Sequence, residues 1–300
     1  MRILVSGAAG FVGRTLVPTL QARGHEVVPL RRGEGGVPAD LAEIGAWTGW
    51  PTGIDAVVHL AALNPQRGER AADDDAALMR ANGAGTKALA ARAAREGVGC
   101  FVFASTNLVH APSTAPVDED ARLAPQNAYA ASKRAGEEGL RQALAGTPTH
   151  AVVLRLPPVY GPGGRGGLAM VLKLARSPLP LPFARSSARR SLLSVANAAD
   201  ALAIAVEHET LAGTFLVADG PPWRIGDLVA YVRQLKGRSP RLVGAPLPLL
   251  RAAAGALGQR ATFDRLFADF VMDDRRFRAA TGWHPPQSVE TALRETVRTP

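Results

Sequence analysis

VSGAAGFVG, residues 5–13, carries three glycines, Gly7, Gly10 and Gly13, three residues apart. RILVS, 2–6, runs into it and reads as a short apolar strand. FVGRTLVPTLQARG, 11–24, leads out of it with Val12, Leu16 and Leu20 at helical spacing and Gly24 placed to end the helix. A strand, a glycine turn and a helix in that order aim backbone N–H groups from a helix N-terminus, where a phosphate is well held. The glycines let the chain turn tightly, approach a pyrophosphate and pack the helix on the strand. The spacing is G-x-x-G-x-x-G, not the commoner G-x-G-x-x-G, and a purely structural turn would use the same residues.

Outward from this turn the chain alternates. HEVVPL (25–30), DAVVHLAA (55–62), CFVFAS (100–105) and HAVVLRL (150–156) read as strands, and 73–97 and 128–146 as helices, the first with an acidic N-terminal end suited to the helix dipole. Strands this apolar are covered on both faces. The alternation predicts an α/β fold: a Rossmann-type doubly wound parallel sheet. After residue 156 the texture changes. PPVYGPGGRGG (157–167) and SPLPLP (177–182) read as loops, followed by helices at 197–208, 225–236, 246–257 and 286–297 and a strand at 214–218. The expected organisation is a dinucleotide-binding domain over 1–160, to which about 189–218 returns, and a smaller α/β substrate lobe over 161–300.

Composition removes several classes. The net charge of +9 comes from arginine, since the only lysines are Lys87, Lys133, Lys173 and Lys236. Basic residues do not cluster and aromatics are few, which argues against nucleic acid. No apolar run approaches the roughly 18 residues of a membrane span. The N-terminal apolar stretch is broken by glycines and followed by Arg14, so it reads as a strand of the fold and not as a signal peptide. A single cysteine, Cys100, forms no internal disulfide and fits a reducing cytoplasm. The six histidines show no ligand spacing, so no metal is expected, and His59, inside a buried strand, reads as a satisfied core residue. GPGGRGG, 161–167, lacks the Gly-Lys-Ser/Thr of a P-loop and reads as a mobile wall of a substrate site.

Two features bear on chemistry. Tyr129 and Lys133 stand at i and i+4, one helical turn apart. An ammonium there stabilises a phenolate and draws the tyrosine from its usual value near 10 towards neutrality. The phenol can then exchange a proton with a substrate oxygen as alcohol and carbonyl interconvert. The second strand ends at Leu30-Arg31-Arg32 without the acid that would favour NAD, so both arginines either accommodate the extra phosphate of NADP or are simply solvated. Asp40 and Leu41, a little further on, are placed to reach the adenine edge.

Together the glycine turn and Tyr129-x-x-x-Lys133 resemble the extended short-chain dehydrogenase/reductases, the group of NAD-dependent epimerase/dehydratases. The likeness spans essentially the whole chain: DAVVHLAA, ANGAGT (81–86), FVFAST (101–106), LPPVYGPG (156–163), RRSLLSVANAADAL (189–202) and DDRRFRAATGWHPPQSVETAL (273–293) each match a family segment. The resemblance is strongest to bacterial UDP-sugar 4-epimerases and 4-keto-sugar reductases. It implies Tyr129 as acid/base, Lys133 as its electrostatic partner and holder of the nicotinamide ribose, and Thr106 as the third catalytic hydroxyl, with Ser105 the adjacent alternative. It places Phe11, Val12, Leu60, Ala61, Ala62, Asn82, Ser105, Pro157 and Val159 against the cofactor. It places Thr106, Asn107, Pro158, Arg190 and Arg265 towards a nucleoside-diphosphate sugar, with Arg190 the best diphosphate ligand. A homodimer through the 73–97 and 128–146 helices is also implied.

There are departures. Asn107 and Leu108 stand where the dehydratases carry Asp-Glu, which argues against elimination of water. Pro158 replaces a common asparagine and removes a donor to substrate phosphate. The glycine usual after the strand is missing from HAPSTAPVDED, 110–120. The trio serves an epimerase, which keeps its cofactor, and an NADPH reductase, which releases it. The family likeness favours the first, and Arg31 and Arg32 favour the second. A non-enzymatic NADP(H) sensor would need the glycines but not Tyr129 and Lys133.

Overall fold

A computed structural model describes residues 1–64, 74–164, 166–184, 186–244, 246–256, 258 and 260–298. In chain order the first half gives β1 (Arg2–Ser6), α1 (Gly13–Ala22), β2 (Glu26–Leu30), β3 (Ala56–His59), α2 (Asp75–Leu78), α3 (Gly85–Arg95), β4 (Cys100–Thr106), α4 (Ala128–Leu144) and β5 (His150–Leu156). The remainder gives β6 (Val159–Tyr160), α5 (Gly166–Ala175), β7 (Arg189–Arg190), β8 (Leu193–Ser194), α6 (Val195–Glu207), β9 (Gly213–Leu216), β10 (Trp223–Arg224), α7 (Ile225–Leu235), α8 (Leu247–Ala256), α9 (Arg260–Phe267), α10 (Arg275–Thr281) and α11 (Val289–Arg298).

The main sheet has the order β2-β1-β3-β4-β5-β9, and every pairing is parallel. Alternate residues of each strand serve opposite faces. Ile3, Val5, Val58, Val102 and Leu154 join Leu16 and Leu20 of α1 and the alanine-rich face of α6 in one core. Leu4, Val57, Phe101, Phe103 and Val153 join Leu89 of α3 and Leu140 of α4 in the other. Ser6 pairs with Leu30 on one side and His59 on the other, so three strands end level. Chain order reverses at β1, with β2 on one flank and β3 on the other. In such sheets the crevice beyond the strand ends at the reversal is where ligands sit.

The expected alternation fails once. Between β2 and β3 the only helical piece is a 3-10 turn, Leu41–Ala46. Gly45, Gly49, Pro51 and Gly53 deny it an α-helix, and Val37, Ile44 and Trp50 cover the sheet instead. The helix expected over 73–97 is interrupted by a π-helical turn, Met79–Ala84, between α2 and α3; residue 73 lies outside the described residues.

The second half differs more. The stretch 157–167, expected as loop, contains β6 and the start of α5. β6 gains order by pairing with β8, a contact distant in sequence. α9 and α10 were not expected either, being short. β9 returns to the main sheet beside β5, and α6 packs on the same sheet. Leu168, Leu172, Leu228, Val232, Leu293 and Val297 belong to a further core made by α5, α7 and α11.

Arg233 of α7 organises that region. It is 1% exposed, and its guanidinium donates to the carbonyls of Ala175, Ser177, Leu179, Pro240 and Arg241. A cation at the C-terminal end of α5 is also favoured by the helix dipole. Arg233→Met should lower unfolding stability by about 2–3 kcal/mol, because buried carbonyls lose their donor. Arg233→Lys should not restore it, since an ammonium lacks the planar fork. Urea unfolding at fixed pH reads both; a midpoint equal to wild type for either variant would contradict the assignment.

Candidate active site

The glycine turn meets the end of β3. Gly7 adopts φ +74°, and a Cβ there would lie 2.7 Å from Ala61 N. A Cβ on Gly13 would lie 2.2 Å from Gly7 O. Both positions therefore exclude a side chain, Gly7 on conformation and space and Gly13 on space alone. Gly10 N donates to Gly7 O at 2.9 Å and Arg14 N to Gly10 O at 3.0 Å. Among the described residues, the N–H groups of Phe11, Val12 and Gly13 donate to no protein acceptor. Three donors at the start of α1, on the switch point of the sheet, form a cradle that fits a dinucleotide pyrophosphate. The Phe11 ring reaches across to the loop after β6, 3.3 Å from where a Gly164 Cβ would stand.

A buried polar chain ties this cradle to α4. Ala61 N donates to Ser6 Oγ at 3.3 Å, and Ser6 Oγ stands 2.6 Å from His59 Nδ1. His59 Nε2 stands 3.0 Å from Thr86 Oγ1, which donates to Asn82 O at 2.6 Å. That last bond makes Thr86 the acceptor from His59 Nε2–H, and leaves Nδ1 to accept from Ser6. His59 is thus a neutral, fully paired core residue; burial, with the nearby Lys133 charge, pushes it down to about 3. Asn82, on the π-helical turn, accepts from Leu63 N at 2.7 Å and donates to Leu63 O at 2.9 Å and Ser132 Oγ at 2.8 Å. Ser132 Oγ in turn donates to Tyr129 O at 2.8 Å. The π turn itself sets Asn82 facing both the β3 exit and α4.

α4 starts at Asn127, whose side chain accepts from Ala130 N at 2.8 Å. This cap begins the helix just before Tyr129. Lys133 is 2% exposed, and its Nζ lies 3.9 Å from the centre of the Phe103 ring. Phe103 also stacks on His59, with centroids 5.4 Å apart. Burial lowers Lys133 to about 7, opposed by Glu137. Burial raises Tyr129 to about 12. The expected drift of the tyrosine towards neutrality is therefore reversed here: desolvation of the phenolate outweighs the ammonium one turn away, and the phenol holds its proton.

Thr106 ends β4 and is buried; its hydroxyl accepts from Leu108 N at 3.3 Å. Ser105 points elsewhere, donating to Glu137 Oε1 at 2.6 Å. Asn107 is buried, and its Nδ2 has no partner. Behind the strand, Glu137 is paired with Arg155 of β5 at 2.7 Å. Sequence reasoning missed this pair; the available signal was a carboxylate one turn beyond Lys133 on the face already carrying Tyr129.

The remaining expected residues are spread out. Leu60 and Ala61 are half-buried beside the turn and Ala62 is exposed. Pro157 is buried, and Pro158 and Val159 are half-buried at the start of the loop that Tyr160 pins by donating to Asp219 at 3.0 Å. Arg31 and Arg32 are exposed beyond β2, Arg31 loosely paired with Glu34 at 3.5 Å. Asp40 spends one carboxylate oxygen on Ala42 N and the other on Arg80, and Leu41 packs on the core below. Arg190 lies on β7 and donates to Ala268 O at 3.0 Å. Arg265 belongs to α9, and its side chain lies outside the described residues. Among the described residues no group of His, Cys, Asp and Glu could hold a metal, and no helix is long and apolar enough to cross a membrane.

Comparisons with known proteins agree with this geometry. The NAD dependent epimerase/dehydratase family matches residues 3–218. The UDP-glucose 4-epimerase of Vibrio cholerae is 27% identical over 309 residues, covering 99% of this chain and 94% of that protein. A 3-diazoavenalumate denitrifying reductase from Streptomyces is 34% identical over 310 residues, covering 95% of this chain and 96% of that protein. The solved structure of a human epimerase family protein with NADPH superposes with a TM-score of 0.80 at 25% identity, covering 99% of each chain. With its parallel dinucleotide-binding sheet, glycine cradle and buried lysine, this chain belongs to the NAD dependent epimerase/dehydratase family and is an NAD(P)-dependent enzyme of the epimerase and reductase type.

Proposed function

We propose that the protein interconverts an alcohol and a ketone on a nucleoside-diphosphate sugar, as a C4 epimerase of the UDP-sugar kind, with Tyr129 as acid/base. The observation that carries this reading is Lys133, buried against Phe103 one turn from Tyr129, whose carbonyl Ser132 and Asn82 link to the residues around the glycine cradle. The main-chain N–H groups of Phe11, Val12 and Gly13 would hold the dinucleotide pyrophosphate, and Leu60 and Ala61 would lie along it. When bound, the nicotinamide supplies the hydride acceptor and donor.

The residues of this chain then handle the proton. In the oxidising direction Tyr129 must first give up its own proton against the high value that burial sets, and as phenolate it then takes the proton of the substrate hydroxyl while the C–H electrons leave as hydride. In the reducing direction the phenol returns that proton to the new alkoxide. Lys133 stabilises the phenolate in both directions, and Thr106 orients the substrate oxygen. Thr106 takes this part over Ser105 because the Ser105 proton is committed to Glu137. Arg190 and Arg265 are the proposed diphosphate ligands, Asn107 a substrate contact, and 161–300, apart from the segment that returns to the sheet, the substrate lobe. A cytoplasmic homodimer through the 73–97 and 128–146 segments completes the proposal.

A second reading, an NADPH-dependent reductase of a keto sugar or other carbonyl, is favoured by Arg31 and Arg32, exposed where an acid would select NAD. Native mass spectrometry of the purified protein separates the two: retained NAD supports the epimerase, and an empty or NADP-loaded site the reductase.

Tyr129→Phe should lower kcat by roughly 10²–10⁴-fold while leaving cofactor binding intact. Turnover is read with UDP-glucose and UDP-galactose and with NADPH plus a panel of keto substrates; undiminished turnover on any accepted substrate would remove Tyr129 from the chemistry. Replacing Arg31 and Arg32 together by alanine should weaken NADPH binding by about tenfold or more and leave NADH unchanged, because charge-assisted bonds to the extra phosphate are lost. Equal weakening of both cofactors, or of neither, would refute that role.

A further inference from the structure

The helical face that carries Tyr129 and Lys133 continues. Glu137 follows Lys133 by one more turn of α4, so residues 129, 133 and 137 stand at i, i+4 and i+8. Glu137 is 2% exposed. Its Oε1 accepts from Ser105 Oγ of β4 at 2.6 Å and from Arg155 Nε of β5 at 3.0 Å. Its Oε2 accepts from Arg155 Nη2 at 2.7 Å and stands 3.8 Å from Arg134 Nη1. One side chain thus joins the helix of Tyr129 and Lys133 to the strand whose next residue is Thr106. We propose that Glu137 is a positioning residue of the reaction, which clamps the acid/base helix to the Thr106 strand and holds its carboxylate one helical turn from Lys133. The inference rests on the reading of Tyr129 and Lys133 given above.

The charges around the site leave this task to Glu137. Lys133 is faced by the neutral His59 from β3, by the Phe103 ring from β4, and by the charge of Glu137 on its own helix. Arg155 is fully engaged, with Nη1 on His110 Nε2 at 3.0 Å and Glu119 O at 3.4 Å. The Glu119 carboxylate is turned away, accepting from Leu216 N at 2.9 Å and meeting Arg276 Nε at 3.3 Å. Burial draws Lys133 down to about 7, and Glu137 is the carboxylate that opposes it. Without that charge the ammonium gives up its proton at lower pH, and the phenolate loses its partner.

The test needs no cofactor. Protein labelled with ¹³C at the lysine ε-carbon has resonances from only four lysines, and Lys133→Met identifies the one of interest. In Glu137→Gln, which keeps the shape and the acceptor for Ser105, the Lys133 titration midpoint should fall by about one pH unit, and Glu137→Asp should restore part of the difference. In the enzyme loaded with cofactor, the alkaline limb of the kcat profile should move down equally, so that activity drops roughly tenfold at pH 8 but only about twofold at pH 6. Should the lone Arg155 charge prevent Glu137→Gln from folding, Glu137→Gln with Arg155→Gln removes it, and the midpoint should still fall. An unmoved midpoint in whichever variant folds, or a kcat loss equal at every pH, would overturn the proposal. Full turnover by Tyr129→Phe together with a moved midpoint would instead overturn the catalytic reading and leave the Lys133–Glu137 coupling standing.

Discussion

Placing the Lys133 ammonium out of reach of water costs free energy, and much of the surrounding structure answers that cost. Burial favours the uncharged amine, and it does so at the residue whose charge the proposed chemistry uses. The Phe103 ring offers its negative face to Nζ. Glu137 offers a full negative charge and is itself held by Ser105 and Arg155. His59 is kept neutral by burial and by the nearby Lys133 charge, and both of its ring nitrogens are used in a hydrogen-bond chain. The same chain reaches Ser6 and Ala61 beside the glycine turn, so the support of the ammonium and the shape of the cradle come from one connected set of residues.

Features set by local sequence were legible in advance. Gly7 and Gly13 proved to be places where no side chain fits, and the runs read as strands at 2–6, 25–30, 55–62, 100–105 and 150–156 each hold a parallel strand, the third shortened to Ala56–His59. The i, i+4 spacing of Tyr129 and Lys133 needed only helical geometry to be read. His59 was readable as a core residue from its apolar neighbours, although its partners, at positions 6 and 86, were not.

What escaped the sequence depends on contacts between distant residues. β6 exists because it pairs with β8, and β7 because it pairs with β10; two residues alone carry no strand signal. The π turn at Met79–Ala84 replaces a regular helix where Asn82 must meet both Leu63 and Ser132. The tyrosine shift ran opposite to a pairwise estimate, since spacing reports a neighbour's charge but not the desolvation of the site. Asp40 illustrates the same limit: its position suggested an adenine contact, yet Arg80 and the Ala42 amide take its two oxygens.

The division of labour follows from where these residues sit. The proposed proton transfer rests on α4 and β4, and β4 is among the longest strands of the main sheet. The arginines that would decide the cofactor lie past the end of β2, and those that would grip a substrate lie on β7 and α9, all at the periphery. Changes at those edges can alter which dinucleotide or carbonyl compound is accepted without touching Lys133 and its supports. A family that includes a UDP-glucose 4-epimerase and a 3-diazoavenalumate denitrifying reductase shows how widely substrates vary on one fold, because the groups that select them sit in sites grafted onto it.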